Sequence, residues 1–225
     1  MRRLLDNVVW HALSGRQSRF AEGTATARRY ARGFSPILGF ADQREPDFAA
    51  LAPFCTPGEH FYTDGWQGPA PDGWTVDVET TMFKMVWDAP PPPGDPLPEA
   101  VALGRGHAAQ ALDLATATRP GPFGPRTIEL GDYVGVFDGP TLVAMAGERM
   151  SAGPWREISG VCTLPAWQGR GWARRLMTIL VRRQLARGET PFLHVMRDNE
   201  RARALYRRMG FVDHAEAVVR VVTRR

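Results

Sequence analysis

The sequence predicts an α/β (α+β) protein in which a mixed sheet with helices on both faces follows a smaller α/β lobe. Beyond residue 98, β-rich segments alternate with helical ones, which is the order expected of such a sheet. A run of four prolines separates this region from the residues before it. With 225 residues, 44% hydrophobic and 23% charged, the chain is long and apolar enough to bury a large core.

The proline run is the predicted domain boundary. The segment 89–98 reads APPPPGDPLP, and proline continues neither a helix nor a central strand, so we expect an extended linker here. This divides the chain into an N-terminal α/β lobe over residues 1–88 and a second domain over residues 99–225.

The N-terminal lobe contains few elements and no recognisable chemistry. Helices are predicted at Asn7–Leu13 and Glu45–Phe54. The segment Trp74–Trp87 is rich in β-branched and aromatic residues, and we interpret it as two strands. His11 and His60 are expected to be surface or packing residues.

The second domain begins with a weak strand and an alanine-rich helix, followed by the proline- and glycine-rich loop Arg119–Arg126. A hairpin is expected around the turn dipeptide Asp138-Gly139. The other predicted elements are strands at Arg156–Leu164, Pro191–Val195 and Phe211–Val222, and helices at Gly171–Arg187 and Asn199–Met209.

The most informative segment is EISGVCTLPAWQGRGWARRL, residues 157–176, in which a strand leads through a glycine-flanked turn into a helix. The first turn of a helix has unpaired N–H groups and a partial positive charge, which together attract phosphate. Gly169 and Gly171 permit close approach of a ligand to the backbone. Arg174 stands where a dinucleotide-binding motif has its third glycine, and no Lys-Ser or Lys-Thr pair follows, which excludes the dinucleotide and P-loop motifs.

A second motif lies on the predicted helix 199–209. Its apolar stripe consists of Ala202, Leu205 and Met209. Tyr206 lies at the edge of this stripe, and Asn199 lies two turns earlier on the same side. Such an edge can line a cleft; the alternative is a tyrosine packed on the core with its hydroxyl in water.

Together the two motifs resemble the GNAT superfamily of acyl-CoA-dependent N-acetyltransferases. Its signature Gln/Arg-x-x-Gly-x-Gly/Ala is matched by Gln168, Gly171 and Ala173. Its second signature, Asn…Ala-x-x-Leu-Tyr…Gly-Phe, is matched by Asn199, Ala202, Leu205, Tyr206, Gly210 and Phe211. The resemblance covers residues 98–225 and implies a mixed, mostly antiparallel sheet, whereas residues 1–88 would suit a degenerate copy of the same fold.

The resemblance implies acetyl-CoA as co-substrate. The segment Val161, Cys162 and Thr163 would pair with the pantetheine arm like an added strand. Asn199 would hydrogen-bond the pantetheine, and Tyr206 would lie beside the sulfur. The residues that would bind the pyrophosphate through their main-chain N–H groups are Gly169, Arg170, Gly171, Trp172, Ala173 and Arg174. Gln168 is a further candidate cofactor-binding residue.

The implied reaction is direct transfer of an acetyl (acyl) group to the primary amine of a small molecule or amino acid in a ternary complex. The amine must be neutral to attack the thioester. Tyr206 could protonate the departing thiolate, and a backbone N–H near Val161 is the candidate donor to the oxyanion. Cys162 could form an acyl-enzyme, but no activating partner is evident, and a buried structural thiol is the simpler interpretation.

Two residues are candidates for the general base. His194 lies five residues before Asn199, where some relatives have a glutamate, and an imidazole suits proton transfer near neutral pH. Glu157 is the rival, since strand alternation puts it on one face with Val161. The alternatives are a histidine that only shapes the acceptor pocket and a glutamate paired with an arginine.

The acceptor side is assigned to the loop Arg119–Arg126 and the elements around Tyr133, whose arginines indicate a carboxylate-bearing acceptor such as an amino acid. Glu129 and Glu148 are further candidate contacts. Two alternative functions are left open. A protein N-terminal or lysine acetyltransferase would need an open groove rather than a pocket on the acceptor side. A non-catalytic acyl-CoA sensor would retain the fold without the activity.

Composition limits the classes of binding partner and the cellular compartment that we expect. The net charge is +4, and the arginines are spread along the chain rather than clustered, so no nucleic-acid partner is expected. The two cysteines form no disulfide framework, which fits a reducing cytoplasm. No signal peptide, membrane segment or metal-ligand spacing is evident, while a homodimer is left open.

Overall fold

The computed structural model describes residues 3–94 and 97–225, so Asp95 and Pro96 of the predicted linker lie outside the described residues. The helices are α1 Arg3–Asp6, α2 Val8–Ser14, α3 Phe48–Leu51, α4 Ala108–Thr118, α5 Trp172–Ala186 and α6 Glu200–Met209. The strands are β1 Ala21–Gly23, β2 Ala27–Tyr30, β3 Leu38–Phe40, β4 His60–Asp64, β5 Trp74–Trp87, β6 Ala100–Leu103, β7 Tyr133–Asp138, β8 Thr141–Ala152, β9 Trp155–Thr163, β10 Thr190–Met196 and β11 Phe211–Arg224.

A large sheet organises the molecule. Its eight strands follow the order β4-β11-β5-β10-β9-β8-β7-β6, and a smaller sheet has the order β1-β2-β3. Strands β9 and β10 are parallel, whereas the other neighbours in the large sheet are antiparallel. The predicted mixed, mostly antiparallel sheet is therefore confirmed.

Strands from before the proline run are interleaved with strands from after it. Strand β5 lies between β11 and β10, and β4 pairs with the far side of β11. The division of the chain at residues 89–98 stays a prediction. The large sheet contains strands from both sides of this boundary. The expectation of two strands over Trp74–Trp87 is wrong: this segment pairs with β11 along its whole length, as a single strand with no glycine or proline to interrupt it.

Helices cover both faces of the large sheet, as predicted. On one face, α5 contributes Leu176 and Leu180 to a core shared with β5, β7 and β10. On the other face, α1 and α2 contribute Leu5 and Val9 to a core that includes Met150 of β8. Full burial of a leucine stabilises the fold by about 1.5–3 kcal/mol. Within residues 3–94 and 97–225, no helix is both long and apolar enough to span a membrane.

Candidate active site

The site begins where β9 and β10 separate. Among the described residues, their parallel pairing runs over three residue pairs and stops at Phe192 and Glu157. Strand β9 nevertheless continues to Thr163, and β10 continues to Met196. The two strands therefore diverge, which leaves a gap within the sheet.

A bulge in β9 accompanies the gap. The register between β8 and β9 shifts after Met145 and Cys162, where an extra residue is inserted into β9. Gly160 has φ 62°, in the left-handed region that glycine adopts without strain. Bulges of this kind bend a strand and redirect its side chains.

The bulge corrects the expected orientation of the β9 side chains. An unbroken strand would have Glu157 and Val161 on the same face, with Ser159 and Thr163. Val161 instead packs against the α5 core that contains Ile158, the immediate neighbour of Glu157. The extra residue at Gly160 inverts the alternation, so the prediction of one shared face is wrong.

A cavity of about 380 Å³ occupies the gap and has walls from both faces of the sheet. Tyr206 and Val161 belong to the α5 and α6 side, whereas Val9 and Met150 belong to the α1 and α2 side. The cavity thus passes through the sheet between β9 and β10. A ligand bound on one side can meet a ligand bound on the other.

A buried charged cluster forms one wall of this cavity. The Glu157 carboxylate is 1% exposed and accepts two hydrogen bonds from Arg149, from Nε at 2.9 Å and from Nη2 at 2.7 Å. It also accepts the backbone N–H of Met150 at 3.2 Å, and His194 Nδ1 lies 2.7 Å from its Oε1. Burial alone would raise the pKa of Glu157, but Arg149 and His194 outweigh it and lower that pKa to about 2.

The carboxylate determines the orientation of His194. Because ionised Glu157 can only accept, Nδ1 of the imidazole carries the proton and donates it to Oε1. The other ring nitrogen, Nε2, is buried and has no hydrogen-bond partner in the described parts of the chain. His194 lines the cavity, and its unpartnered ring nitrogen is the candidate proton acceptor of the site. Sequence reasoning named both residues but as rivals, whereas the structure brings them together.

The N-terminal region supports this cluster. Gln17, which is 3% exposed, donates from Nε2 to the backbone carbonyl of Arg149 at 2.7 Å. Its Oε1 accepts the backbone N–H of Ser151 at 3.1 Å and the hydroxyl of Tyr30 at 2.7 Å. These bonds hold β8, and with it Arg149, in register beside Glu157.

Helix α6 borders the cavity from the opposite side. Asn199 caps this helix by accepting the N–H of Ala202 at 3.1 Å, and the helix ends at Gly210 with φ 117°. Asn199 and Tyr206 both line the cavity, as the predicted cleft requires. Burial of the Tyr206 ring raises its pKa to about 12, so its hydroxyl stays protonated at neutral pH.

The turn before α5 has the geometry expected of an anion site. Gly171 is the residue before the first helical turn and has φ 77°, and Gly169 has φ 81°. An added Cβ at either glycine would meet no atom of the described residues within 4 Å, so the backbone faces open space. The unpaired N–H groups of the helix start are therefore accessible, and this donor set suits a pyrophosphate.

Side chains stiffen this turn. The rings of Trp167 and Trp172 stack with centroids 5.2 Å apart, and Arg170 lies over Trp167 at 4.2 Å. Gln168 donates to the backbone carbonyl of Thr163 at 3.3 Å and ties the turn to the end of β9. The turn residues thus contact one another and the end of β9.

The predicted acceptor loop contributes only in part. Arg119 and Pro122 line the cavity, and within the described ranges the Arg119 guanidinium has no hydrogen bond or ion pair. Arg126, in contrast, is engaged with Glu129 at 2.9 Å. Tyr133 is 1% exposed and does not line the cavity, although the sequence placed it on the acceptor side.

Three other sequence candidates are not among the residues that line the cavity. Glu148 is 2% exposed and is engaged by Gln184 and Arg187 at the end of α5. Glu129 pairs with arginines outside the cavity. Burial raises the pKa of the Cys162 thiol to about 11, so it remains a protonated thiol.

Two cavity residues had no signal in the sequence. Arg149 lies opposite Glu157 through a register that depends on irregular pairing between β8 and β9. Asp64 comes from β4, which precedes the proline run, and reaches the cavity through the strand order of the sheet. Only the tertiary pairing reveals either position. No group of three or more residues able to hold a metal ion occurs in the part of the chain that the structure describes.

The whole chain is similar to a known structure. The crystal structure of a GNAT-family protein from Novosphingobium aromaticivorans matches it with a TM-score of 0.89 and 34% sequence identity, over 98% of each chain. The chain belongs to the GNAT family. The resemblance predicted from the two motifs is therefore confirmed, and members of this family are acetyltransferases with an acyl-CoA co-substrate.

Further comparisons agree with this assignment. The family model described as FR47-like protein matches residues 133–221. The N-alpha-acetyltransferase RimI of Mycobacterium tuberculosis is 44% identical over 82 residues, which span 35% of this chain and 51% of that protein. A GCN5-related N-acetyltransferase-like protein from Streptococcus suis shares the GNAT fold, with a TM-score of 0.58 and 15% identity over 100% of this chain and 98% of that chain.

Proposed function

We propose that this GNAT protein transfers an acetyl group from acetyl-CoA to the primary amine of a small molecule or amino acid by direct attack in a ternary complex. The observation that carries the proposal is the unpartnered Nε2 of His194, held by Glu157 in a cavity that crosses the sheet. Such a cavity lets a donor and an acceptor meet inside one protein, on opposite sides of the gap.

The residues present suit acetyl-CoA, which supplies an activated thioester acetyl group when bound. The open glycine turn before α5 would hold the pyrophosphate through backbone N–H groups. The separated edge of β9, at Val161 to Thr163, would pair with the pantetheine arm. Asn199 uses its carbonyl oxygen as a helix cap, which leaves its amide N–H₂ to donate to the same arm.

His194 would act as the general base. Its Nε2 would take a proton from the attacking amine, directly or through one water, while the proton on Nδ1 remains shared with Glu157. Glu157 would be a positioning residue rather than the base, because Arg149 and His194 already occupy its oxygens. The ionised carboxylate also stabilises the imidazolium that forms after proton transfer.

Tyr206 would donate a hydrogen bond to the leaving sulfur. With its pKa raised to about 12, the hydroxyl is protonated at every physiological pH and can stabilise a developing thiolate. A backbone N–H near Val161 would donate to the oxyanion that develops at the acyl carbonyl. The Cys162 thiol would take no part in the chemistry, since it is buried and protonated, and this supports direct attack over an acyl-enzyme route.

A small acceptor suits the dimensions of the cavity. Its volume of about 380 Å³ lies near the lower end of the range for small-molecule sites and is shared with the thioester end. Arg119 at the cavity wall could bind a carboxylate on the acceptor, as an amino acid would carry. A protein or peptide N-terminus is the second candidate, favoured by the similarity to RimI.

A screen tests the proposal. Primary amines, free amino acids and short peptides are incubated with acetyl-CoA and the full chain, and release of the free thiol is measured. We expect release with at least one small amine or amino acid and none without an acceptor. Turnover of peptides alone would favour the second candidate. Tight acetyl-CoA binding without transfer to any amine would indicate a non-catalytic sensor and contradict the proposal.

A further inference from the structure

The cavity contains a second buried acid that the proposed reaction does not use. Asp64, at the end of β4, is 7% exposed and lines the cavity on the α1 and α2 side, together with Tyr62 and Val219. Its Oδ1 accepts a hydrogen bond from Gln43 at 3.2 Å. Its Oδ2 is buried and has no hydrogen-bond partner among residues 3–94 and 97–225.

The nearest cation to that oxygen is Lys84, the only lysine of the sequence. Its Nζ lies 3.8 Å from Oδ2, which is too far for a hydrogen bond. The ammonium instead donates to the backbone carbonyls of Leu5 at 2.6 Å and Asp6 at 3.3 Å. Lys84 therefore balances the charge of Asp64 but leaves one acceptor unsatisfied.

We propose that Asp64 binds an uncharged N–H or O–H donor on the acceptor, so that the acceptor is a primary amine that also carries a hydroxyl or amide group. The inference rests on the proposed function, because it treats this end of the cavity as the acceptor site. It makes Asp64 a specificity-determining residue. The donor fills the missing hydrogen bond at Oδ2 and so fixes the direction in which the amine faces His194.

The charges around the cavity favour a ligand with an uncharged hydrogen-bond donor over a ligand with a second ammonium group. Asp64 is already paired with Lys84, and Glu157 is already paired with Arg149. A further cation would therefore bring an uncompensated charge into the cavity, whose lining also includes the positively charged Arg119. A neutral donor satisfies Oδ2 without that cost.

The experiment compares three matched series of ligands. Amino alcohols of two to five carbons, alkylamines with the same number of non-hydrogen atoms and diamines of the same length are titrated calorimetrically into the protein with CoA bound. We expect the best amino alcohol to bind about tenfold more tightly than the matched alkylamine, and more tightly than the matched diamine. Equal binding of all three series would overturn the proposal, and so would a preference for diamines.

Substitutions assign the preference to Asp64. In Asp64→Asn, the carbonyl oxygen of the new asparagine still accepts the hydrogen bond from Gln43. Its amide N–H₂ then takes the place of Oδ2, and this group cannot accept a hydrogen bond from the ligand. We expect the amino-alcohol preference to disappear. The double variant Asp64→Leu/Lys84→Met removes both charges together, so it leaves no buried unpaired ion. It should also lose the amino-alcohol preference. Asp77→Asn, on β5 outside the cavity, is the control that should keep the preference.

The outcomes separate this inference from the proposed function. Acetyl transfer without any donor preference would leave the proposed function standing and overturn the role of Asp64. Donor-dependent binding that Asp64→Asn abolishes, without acetyl transfer to any amine, would support Asp64 and contradict the proposed function. A preference that persists in both Asp64 variants would overturn the inference.

Discussion

His194 Nδ1 lies 2.7 Å from Oε1 of Glu157, inside a sheet whose two central strands have separated. The same carboxylate accepts hydrogen bonds from two guanidinium nitrogens of Arg149, Nε and Nη2. An acid with all of its lone pairs directed at partners and a pKa of about 2 is a poor base near neutral pH. The contact therefore favours His194 as the base and Glu157 as the residue that orients it.

Replacing the histidine tests that role. We expect His194→Gln to lower kcat/KM by about 10²–10⁴-fold, because the amine then loses its proton acceptor. The measurement is the pH–rate profile with an amine found in the screen.

His60→Gln is the matched control for this substitution. His60 is exposed on the edge strand β4, contacts Thr223 and is not among the residues that line the cavity. Its replacement should change kcat/KM by less than about twofold. A His194 variant that retained the wild-type profile would remove the base assignment.

The buried carboxylate predicts a specific dependence of stability on pH. The pKa of Glu157 is about 2 in the folded protein, below its ordinary value, so the ionised form stabilises the fold above the ordinary value and this stability is lost as the pH falls towards 2. We expect Glu157→Gln to cost about 3 kcal/mol or more at pH 7, since it also leaves Arg149 unpaired. The difference from wild type should shrink as the pH falls below about 4.

Urea unfolding at a series of pH values measures this difference. Glu216→Gln provides the surface comparison, because Glu216 pairs with Arg197 in solvent. It should change the unfolding free energy by less than about 1 kcal/mol. A Glu157 variant with the same small effect would contradict the buried ion pair.

Tyr206→Phe should separate turnover from binding. The substitution removes only the hydroxyl, and we expect turnover to fall about tenfold or more while the dissociation constant of acetyl-CoA changes less than about threefold. Because burial raises the pKa of Tyr206 to about 12, the wild-type rate should show no loss from its ionisation up to about pH 10. An unchanged turnover in the variant would exclude a role for the hydroxyl.

The role of the glycine turn in acetyl-CoA binding can be tested by comparing glycines at the two ends of α5. Gly171 and Gly188 have φ values of 77° and 70°, and an added Cβ at either would meet no described atom within 4 Å. Valine should therefore cause similar backbone strain at both positions. We expect Gly171→Val to weaken acetyl-CoA binding by about tenfold or more, because it disturbs the N–H groups of the helix start, and Gly188→Val to leave it nearly unchanged.

Calorimetry with acetyl-CoA measures both variants. Circular dichroism shows whether each has kept the fold. Equal loss of affinity in both would point to general destabilisation rather than to the turn. Intact affinity in Gly171→Val would contradict the pyrophosphate assignment.

Several elements follow directly from local sequence. The strand-turn-helix around Gly169 and Gly171 and the capped helix after Asn199 are encoded within short windows, so helix periodicity and cap chemistry suffice to predict them. Family membership follows from the same windows. One interpretation of the local sequence was wrong, since Trp74–Trp87 forms one strand rather than two. The segment contains no glycine or proline that would interrupt a strand.

The reacting geometry, in contrast, depends on contacts between distant segments. The bulge at Gly160 reverses the face on which Val161 lies, and no period-two pattern can anticipate an inserted residue. Asp64 enters the cavity because β4 pairs with the last strand of the chain. The sequence by itself therefore determined the two GNAT motifs, which are local, whereas the tertiary structure alone decided that His194 and Glu157 lie in contact, because their 2.7 Å contact joins strands that are far apart in the chain.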